Sequence, residues 1–376
     1  MKREMDERWM RRALALAEKG RGTTSPNPTV GACLVKGDRL IAEGFHASFG
    51  GPHAEAAALQ KAKKKARGAS LYVTLEPCST YGKTPPCTEA ILKAKVREVI
   101  IGTLDPNPVH RGKGAALLRR AGVKVRAHVL KDECKRQIED FSRWITTGRP
   151  FVTLKMAQSL DGKIATWTGN SRWISGREAR EWVHGIRSKH DALLVGTNTL
   201  LRDDPRLTVR PRLYEPKVSE RNVAIHRHPW RIILDQRGRS SPKARVFRSD
   251  GPVLLVCAER YLSHVARKFE KTRATILALR QKKGRLDLRE LMDRLGLFGM
   301  TSVLVEGGGE IAWSLFREGL ADRIFWIISP KVIGGRSAKT SVEGEGIKSL
   351  SEAFPVHGCQ MKSLGKDYLL EGYTGR

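Results

Sequence analysis

Short apolar runs alternate with amphipathic segments along the first part of the chain. Runs rich in Val, Ile and Leu predict strands, and apolar residues spaced three to four positions apart predict helices. The predicted strands are 32–35, 40–45, 69–75, 99–103 and 123–129, and the predicted helices are 7–19, 53–59, 89–95 and 115–121. Strands that alternate with helices are typical of a layered α/β domain.

The same alternation continues after Gly148-Arg149-Pro150, a turn-forming sequence that predicts a domain boundary. The predicted strands here are 151–156, 192–196, 231–234, 253–256 and 301–305, and the predicted helices are 178–188, 289–295 and 311–318. Residues 159–165 predict a turn followed by a short strand, and residues 211–229 predict a polar surface insertion. Because 376 residues are many for one core, we predict two α/β domains, at residues 1–147 and 148–376.

Four residues of the first domain have the types and spacing of a catalytic zinc site. His53 opens a predicted helix, Glu55 lies two residues later, and Cys78 and Cys87 follow a predicted strand. A Cys₂His ligand set leaves the fourth tetrahedral position of zinc open for water, whereas structural zinc sites are closed. Zinc activates that water, and the zinc deaminases move protons with a glutamate that is not a ligand. We therefore predict three zinc ligands, His53, Cys78 and Cys87, with Glu55 as the proton carrier.

The spacing of the two cysteines departs from the common deaminase pattern. Eight residues separate Cys78 from Cys87, whereas the common pattern is Cys-x-x-Cys, so the metal loop is enlarged. The alternative is that His53 lies on the surface and that both thiols are ordinary buried cysteines. That alternative requires four matched positions to arise by accident, so we favour the metal site.

A glycine-rich turn in the second domain suits an anionic group. The apolar strand 301–305 runs into Glu306-Gly307-Gly308-Gly309-Glu310, and a helix follows. Glycines let a phosphate approach backbone N–H groups at a helix N-terminus, and a tight turn without a ligand is the equal alternative. The sequence lacks the G-x-G-x-x-G dinucleotide pattern, so we do not predict a Rossmann fold.

Net charge is the unusual feature of the composition. The chain has 69 Lys and Arg residues against 39 Asp and Glu residues, which gives a formal charge of +30. Such an excess suits phosphorylated substrates or nucleic acid. The basic residues are spread over both halves without an interleaved aromatic stacking set, so we expect no specific nucleic-acid binding.

The rest of the composition predicts a globular protein of a reducing compartment. Hydrophobic residues make up 40% of the chain, and no apolar run is long enough to span a membrane. The six cysteines are scattered, unlike the disulfide framework of a small secreted domain. The N-terminus lacks the apolar segment of a signal peptide, so we expect a cytoplasmic location.

A series of motifs in a fixed order covers nearly the whole chain. In the first half they are SPNPTVG, GPHAEAAAL, YVTLEPCS, GKTPPC and DPNP, and in the second half KMAQSLDGKIA, SRWISG, DDPRLTVR and VEGGGEIA. On these motifs the chain resembles the bifunctional riboflavin-biosynthesis deaminase–reductases of the RibD type. The resemblance implies an N-terminal cytidine-deaminase-like three-layer domain and a C-terminal dihydrofolate-reductase-like α/β domain.

The resemblance also implies two reactions. The first domain would hydrolyse the exocyclic amine at carbon 2 of a diaminopyrimidinone ribosylamine 5′-phosphate with one Zn²⁺ per chain. The second domain would reduce the ribosyl chain to ribityl with NADPH. We expect the partner to be this phosphorylated pyrimidine, with no membrane association, and the protein to be a homo-oligomer.

Site residues are carried over from the family position by position. Asn27, His46 and Lys83 resemble pyrimidine or phosphate contacts of the deaminase pocket. Substrate contacts of the reductase are implied at Lys155, Ser171, Arg187, Asp203, Leu207, Arg210 and Glu306. The cofactor side is implied at Ala157, Trp173, Thr199, Gly307, Gly308 and Gly309. From the residues alone, Asn27 and Asp203 are equally turn or cap residues, and single arginines are more often solvated surface charges.

One departure from the family lies in the metal loop. Many relatives read Cys-Ser-His, whereas this chain has Cys78-Ser79-Thr80, which removes an imidazole that would face the substrate. Tyr81 and His46 are the candidates to compensate. Two other functions stay open from sequence: a tRNA base deaminase whose basic C-terminal half binds RNA, and a non-catalytic basic binding protein. The intact His53, Glu55, Cys78 and Cys87 argue against the second of these.

Overall fold

The structure is a computed structural model that describes residues 2–82, 85–210 and 228–374. Among these residues, those up to Arg149 form one compact unit and those from Pro150 onward form a second. Lys83 and residues 211–227 of the predicted polar insertion lie outside the described residues. Over the described ranges, the helices are all too short or too polar to cross a bilayer.

The first unit is built on a five-stranded sheet. Its strands are β1 (Gly31–Lys36), β2 (Arg39–Phe45), β3 (Ser70–Leu75), β4 (Glu98–Thr103) and β5 (Lys124–Ala127), in the order β2-β1-β3-β4-β5. β1 pairs antiparallel with β2 and β3, whereas β3, β4 and β5 are parallel. The carboxyl ends of β3 and β4 therefore meet at one edge of the sheet, where the loop that carries Cys78 begins.

Helices cover both faces of this sheet, which makes the unit three layers thick. The helices are α1 (Lys2–Glu18), α2 (Ala54–Ala62), α3 (Cys87–Lys93), α4 (Lys113–Arg120), α5 (Lys131–Gln137) and α6 (Glu139–Thr147), with a 3₁₀ turn at Lys63–Ala66. One face packs against α2, α3 and α4 through buried residues such as Ala58, Ile91 and Leu118. The other face packs against α1 and α5 through Met10 and Cys134.

The second unit has a nine-stranded sheet in the order β10-β9-β8-β7-β13-β6-β14-β16-β15. Its strands are β6 (Phe151–Ser159), β7 (Ala192–Gly196), β8 (Trp230–Leu234), β9 (Val253–Ala258), β10 (Ala274–Leu279), β13 (Ser302–Val305), β14 (Arg323–Ser329), β15 (His357–Leu364) and β16 (Asp367–Tyr373). The strands from β10 to β14 in this order are parallel, and β16 and β15 add an antiparallel edge. A small hairpin is formed by β11 (Gln281–Lys282) and β12 (Arg285–Leu286).

Two helical layers bury the faces of this sheet, since parallel sheets need cover on both sides. The helices are α7 (Arg177–Arg187), α8 (Thr197–Asp203), α9 (Arg245–Arg248), α10 (Leu262–Phe269), α11 (Leu288–Leu297) and α12 (Gly309–Arg317), with 3₁₀ turns at Glu259–Tyr261 and Leu350–Glu352. One core contains residues of α11 and α12, including Leu291 and Leu315. The opposite core contains residues of α7 and α10, including Val183 and Phe269.

Each predicted helix and strand is present, with ends shifted by up to five residues, except the short strand predicted after the turn at 159–162. Lys163 makes only an isolated bridge to Thr340. The Ser159 hydroxyl accepts a hydrogen bond from the Lys163 backbone N–H at 2.9 Å and donates one to the Asp161 carboxylate at 2.6 Å. These local bonds hold the backbone in a turn, so that prediction is wrong.

Candidate active sites

Three side chains of the first unit converge on one point. The Sγ atoms of Cys78 and Cys87 lie 3.5 and 3.3 Å from Nδ1 of His53, and all three donor atoms lie within 4.8 Å of one another. Cysteine sulfur and histidine nitrogen are the donors that zinc prefers. The residues present therefore fit a zinc ion with three protein ligands and one open position.

Regular elements place each of these ligands. His53 is the residue before α2 and has an extended backbone, Cys78 follows β3, and Cys87 is the first residue of α3. The backbone N–H of Cys87 donates to Sγ of Cys78 at 3.3 Å. The enlarged loop between the cysteines therefore begins after a strand and ends on a helix, which holds the predicted ligands together.

The two thiols perturb each other. A hydrogen bond from Cys87 and the neighbouring His53 lower the pKa of Cys78 to about 4, although burial opposes that shift. The same contact with Cys78, together with burial, raises the pKa of Cys87. One sulfur is thus a ready thiolate, as a metal ligand must be.

Glu55 is a buried carboxyl beside the three ligands. It lies in the first turn of α2, and only 3% of its surface is exposed. Burial raises the pKa of Glu55 to about 7, and the negative charge of Cys78 is the next largest cause. A carboxyl with this pKa exchanges protons readily near neutral pH.

Asn27 and His46, two of the residues predicted to contact the substrate in the deaminase pocket, lie next to this cluster. Nε2 of His46 is 3.2 Å from the side-chain nitrogen of Asn27. The imidazole rings of His46 and His53 meet edge-on, with 5.4 Å between their centroids. Nδ1 of His46 lies 3.0 Å from the Pro52 carbonyl, and burial lowers the pKa of His46. Tyr81, the other candidate to compensate for Thr80, is 73% exposed and bonds Glu89 instead.

Glu76 supports the site, although the sequence assigns it no role. Its buried carboxylate accepts hydrogen bonds from the backbone N–H groups of Asp105, Gly112 and Ala115 at 3.1, 2.8 and 3.0 Å. Glu76 therefore fixes the connection between β4 and α4 beside the strand end that carries Cys78. Its position within Glu76-Pro77-Cys78 is the only signal that the sequence offers.

The second unit contains two adjoining cavities at the carboxyl ends of its parallel strands. Their volumes are about 700 and 470 Å³, and they share Ile164, Ser171, Thr199, Asp203 and Gly308. Open α/β sheets bind ligands outside the carboxyl ends of their strands. Two adjoining cavities give room for two ligands placed side by side.

The smaller cavity brings together most of the predicted reductase residues. Its lining includes Lys155, Ala157, Ser171, Trp173, Arg187, Thr199, Asp203, Leu207, Arg210, Glu306, Gly307 and Gly308. Gly309 lines the larger cavity, where a side chain would meet the Thr340 carbonyl oxygen at 2.6 Å. Gly309 is thus required by the close packing of α12, whereas Gly308 has open space beside it.

A carboxylate with two cations is the charged core of the smaller cavity. Glu306 accepts two hydrogen bonds from Arg187, at 2.5 and 2.9 Å, and lies 3.8 Å from the Lys155 ammonium group. Burial alone would raise the pKa of Glu306, but the charges and hydrogen bonds of these cations lower it to about 2. Arg187 therefore has two of its nitrogens engaged by the protein.

His184 also lines this cavity, although no motif in the sequence singles it out. Its Nε2 lies 3.0 Å from a guanidinium nitrogen of Arg210. The signal that could have found it is helical spacing, because His184 lies three residues before Arg187 on α7 and so shares its face.

Comparisons with known proteins match both halves of the chain. The model "Cytidine and deoxycytidylate deaminase zinc-binding region" matches residues 3–103, and the model "RibD C-terminal domain" matches residues 150–370. The chain is 40% identical to riboflavin biosynthesis protein RibD of Aquifex aeolicus, over 98% of this chain and 99% of the relative. It is 37% identical to the Escherichia coli protein of the same name, over 97% and 98%.

Solved structures agree over the full length. RibD of Acinetobacter baumannii superposes with a TM-score of 0.86 at 34% identity, covering 100% of both chains. The diaminohydroxyphosphoribosylaminopyrimidine deaminase/5-amino-6-(5-phosphoribosylamino)uracil reductase of Thermotoga maritima superposes with a TM-score of 0.84 at 37% identity, again over 100% of both chains. The predicted fold class of both halves is confirmed.

Proposed function

The chain belongs to the RibD family of riboflavin biosynthesis proteins, and from that membership we propose how its two halves divide the chemistry. It is a bifunctional deaminase and reductase. The substrate that we propose is 2,5-diamino-6-ribosylamino-4(3H)-pyrimidinone 5′-phosphate. Deamination by the first unit and reduction of the ribosyl chain by the second would give 5-amino-6-ribitylaminouracil 5′-phosphate.

The deaminase proposal rests on a buried glutamate beside three zinc donors. His53, Cys78 and Cys87 would hold the ion, which supplies an activated water when bound. Glu55 would take a proton from that water and return it to the ring nitrogen and the leaving amine. Asn27 and His46 would contact the pyrimidine from the adjoining loop, and Lys83 is proposed as a further contact from the family alone.

The reductase proposal rests on the two adjoining cavities and the charged core of the smaller one. NADPH, when bound, supplies the hydride. We assign its longer part to the larger cavity, along Thr199, Gly308 and Gly309, and its reacting end to the smaller cavity, beside Ala157, Trp173 and Gly307. The substrate would occupy the smaller cavity, with Ser171, Asp203 and Leu207 on its walls. Arg210 would bind its phosphate, and Glu306 would fix Arg187 and Lys155 beside it.

A coupled assay tests both assignments. Zinc-replete protein is given the diaminopyrimidinone ribosylamine phosphate, and ammonia release and NADPH oxidation are followed separately. We expect both signals. Ammonia release without NADPH oxidation would contradict the reductase assignment and make RNA the next substrate to try, with affinity that falls steeply with salt. Neither signal from protein with bound zinc would contradict the proposed substrate and point to Thr80.

Two further properties belong to the same proposal and come from the family. We propose that the protein is cytoplasmic and forms a homo-oligomer. Light scattering of the purified chain tests the second property, and a mass equal to one chain would contradict it.

A further inference from the structure

Two arginines of the smaller cavity have different protein partners. Arg187 is paired with the Glu306 carboxylate through two hydrogen bonds. Arg210 instead lies 3.0 Å from Nε2 of His184, whose side chain is buried on α7. Because a guanidinium only donates, the imidazole accepts through Nε2 and carries its own proton on Nδ1.

The two partners have different consequences for charge. A carboxylate orients a guanidinium and also neutralises it, whereas a neutral imidazole orients it and leaves its charge intact. The pKa of Arg210 is lowered. Burial is the largest cause, and the positive charges of three neighbouring arginines follow: Arg187, Arg206 and Arg245. A bound anion would relieve this crowding of cations.

We propose that His184 is a positioning residue that holds Arg210 in the orientation needed for the substrate phosphate while leaving its positive charge available. This inference rests on the proposed function, which assigns the phosphate to Arg210. His184 touches neither the reacting carbon nor the cofactor in this scheme and acts through Arg210 alone.

The environment of His184 keeps its ring in the form that this role requires. Burial, followed by the charges of Arg187 and Arg210, lowers the pKa of His184 to about 4. The ring is therefore neutral near pH 7, with a lone pair available on Nε2. A protonated ring would have no acceptor and would repel Arg210.

Three substitutions separate orientation from charge. His184→Leu removes the acceptor, His184→Gln keeps a neutral acceptor, and His184→Glu keeps an acceptor but neutralises Arg210. Ribose 5-phosphate is the probe, and its dissociation constant is measured by calorimetry on the full-length, zinc-replete protein. We expect about tenfold weaker binding for His184→Leu, recovery to within about threefold for His184→Gln, and again about tenfold weaker binding for His184→Glu.

A double-substitution cycle with Arg210→Met shows whether His184 acts through Arg210. We expect His184→Leu to have no further effect on ribose 5-phosphate binding in the Arg210→Met background. In the reductase assay, His184→Leu should raise KM for the deaminated intermediate and leave kcat nearly unchanged. Equal effects of His184→Leu with and without Arg210 would overturn the inference, as would equal affinities for the Gln and Glu variants.

The failure of the proposed function has a different outcome. If Arg210→Met alone leaves ribose 5-phosphate binding unchanged, the assignment of the phosphate to Arg210 is wrong, and the role of His184 is overturned with it. If Arg210→Met weakens binding and the His184 variants do not, only the inference is overturned. Circular dichroism and the unfolding midpoint verify each variant, and if His184→Leu does not fold, the Gln and Glu pair decides.

Discussion

Two glutamates with little exposed surface, one in each unit, have pKa values shifted in opposite directions. Among the residues that the structure describes, no basic side chain bonds Glu55, and burial raises its pKa to about 7. Glu306 is also enclosed, with 10% of its side chain exposed, but Arg187 and Lys155 outweigh burial and lower its pKa to about 2. The same side chain thus exchanges a proton readily near neutral pH in one unit and is a permanent anion in the other.

The difference shows that the partners of a buried carboxyl, and not its burial, decide its chemical role. A deaminase needs a group that gains and loses a proton during each turnover. A reductase site that binds a phosphorylated substrate needs fixed cations instead, and a permanent anion organises them. The two glutamates should therefore respond differently to the same substitution.

The largest expected effect is on deamination in Glu55→Gln. The amide cannot carry a proton, so ammonia release should fall by a factor of about 10² to 10⁴. NADPH oxidation should persist when the variant is given the deaminated intermediate. Bound zinc, measured by atomic absorption, should stay at the wild-type level. A variant with normal zinc and normal ammonia release would remove Glu55 from the proton transfer.

Glu306→Gln should instead destabilise the second unit. The substitution removes the counter-charge of Lys155 and Arg187, whose side chains are each only 14% exposed, a change that costs about 3–5 kcal/mol of unfolding free energy. Urea unfolding followed by tryptophan fluorescence reports on this unit, because six of the eight tryptophans lie in it: Trp167, Trp173, Trp182, Trp230, Trp313 and Trp326.

Glu55→Gln is the matched control, with the unfolding of its own unit followed by circular dichroism because most of the tryptophans lie in the second unit. In the part of the chain that the structure describes, this substitution leaves no basic side chain without its partner, so we expect no comparable loss of stability. Equal losses of unfolding free energy in the two variants would show that each loss comes from the burial of the glutamate and not from its ion pairs.

The zinc site could be predicted from sequence because its chemistry is local. His53 and Glu55 share one helix start, and both cysteines follow within 34 residues of His53. The reductase site is assembled over longer distances, since Arg187 and Glu306 are 119 residues apart. Family motifs identify its residues one by one, but no pattern in the sequence shows that Glu306 engages Arg187 or that His184 bonds Arg210.

Burial explains many of the predicted elements and some of the missed ones, although the missed strand β14 is itself mostly buried. The strands β3 and β9 are buried along their whole length and read as apolar runs. In contrast, β15 is exposed at seven of its eight positions and has no apolar alternation. The short helix α8 begins with Thr197-Asn198-Thr199, which are weak helix formers, so only the tertiary structure identifies it.

Glu76 extends the comparison to a third buried glutamate, which is held by backbone N–H groups. In Glu76→Gln the amide keeps one acceptor oxygen and presents an NH₂ group to the remaining donors. We expect a loss of about 2 kcal/mol in the stability of the first unit. Zinc affinity, measured by competition with a chelator, should fall about tenfold. Unchanged affinity would show that the metal loop does not depend on the β4–α4 connection.

The smallest expected effect is the pH dependence that His184 gives to the second unit. Its pKa is lowered to about 4 by burial and by Arg187 and Arg210, with Glu306 opposing them. In the unfolded chain this histidine binds a proton below about pH 6.5, whereas in the folded unit it does so only below about pH 4. The free energy of unfolding therefore falls as the pH drops from about 6.5 to about 4. Solvent screening limits the loss to about 1 kcal/mol.

Urea unfolding at pH 7 and pH 5, followed by tryptophan fluorescence, measures this slope. His184→Gln should flatten it, because the amide does not titrate, whereas Glu55→Gln should leave it unchanged. Glu306 titrates well below this window, so the permanent anion contributes nothing to the slope. A slope that persists in His184→Gln would assign it to another group and would show that His184 is not held neutral by its cationic neighbours.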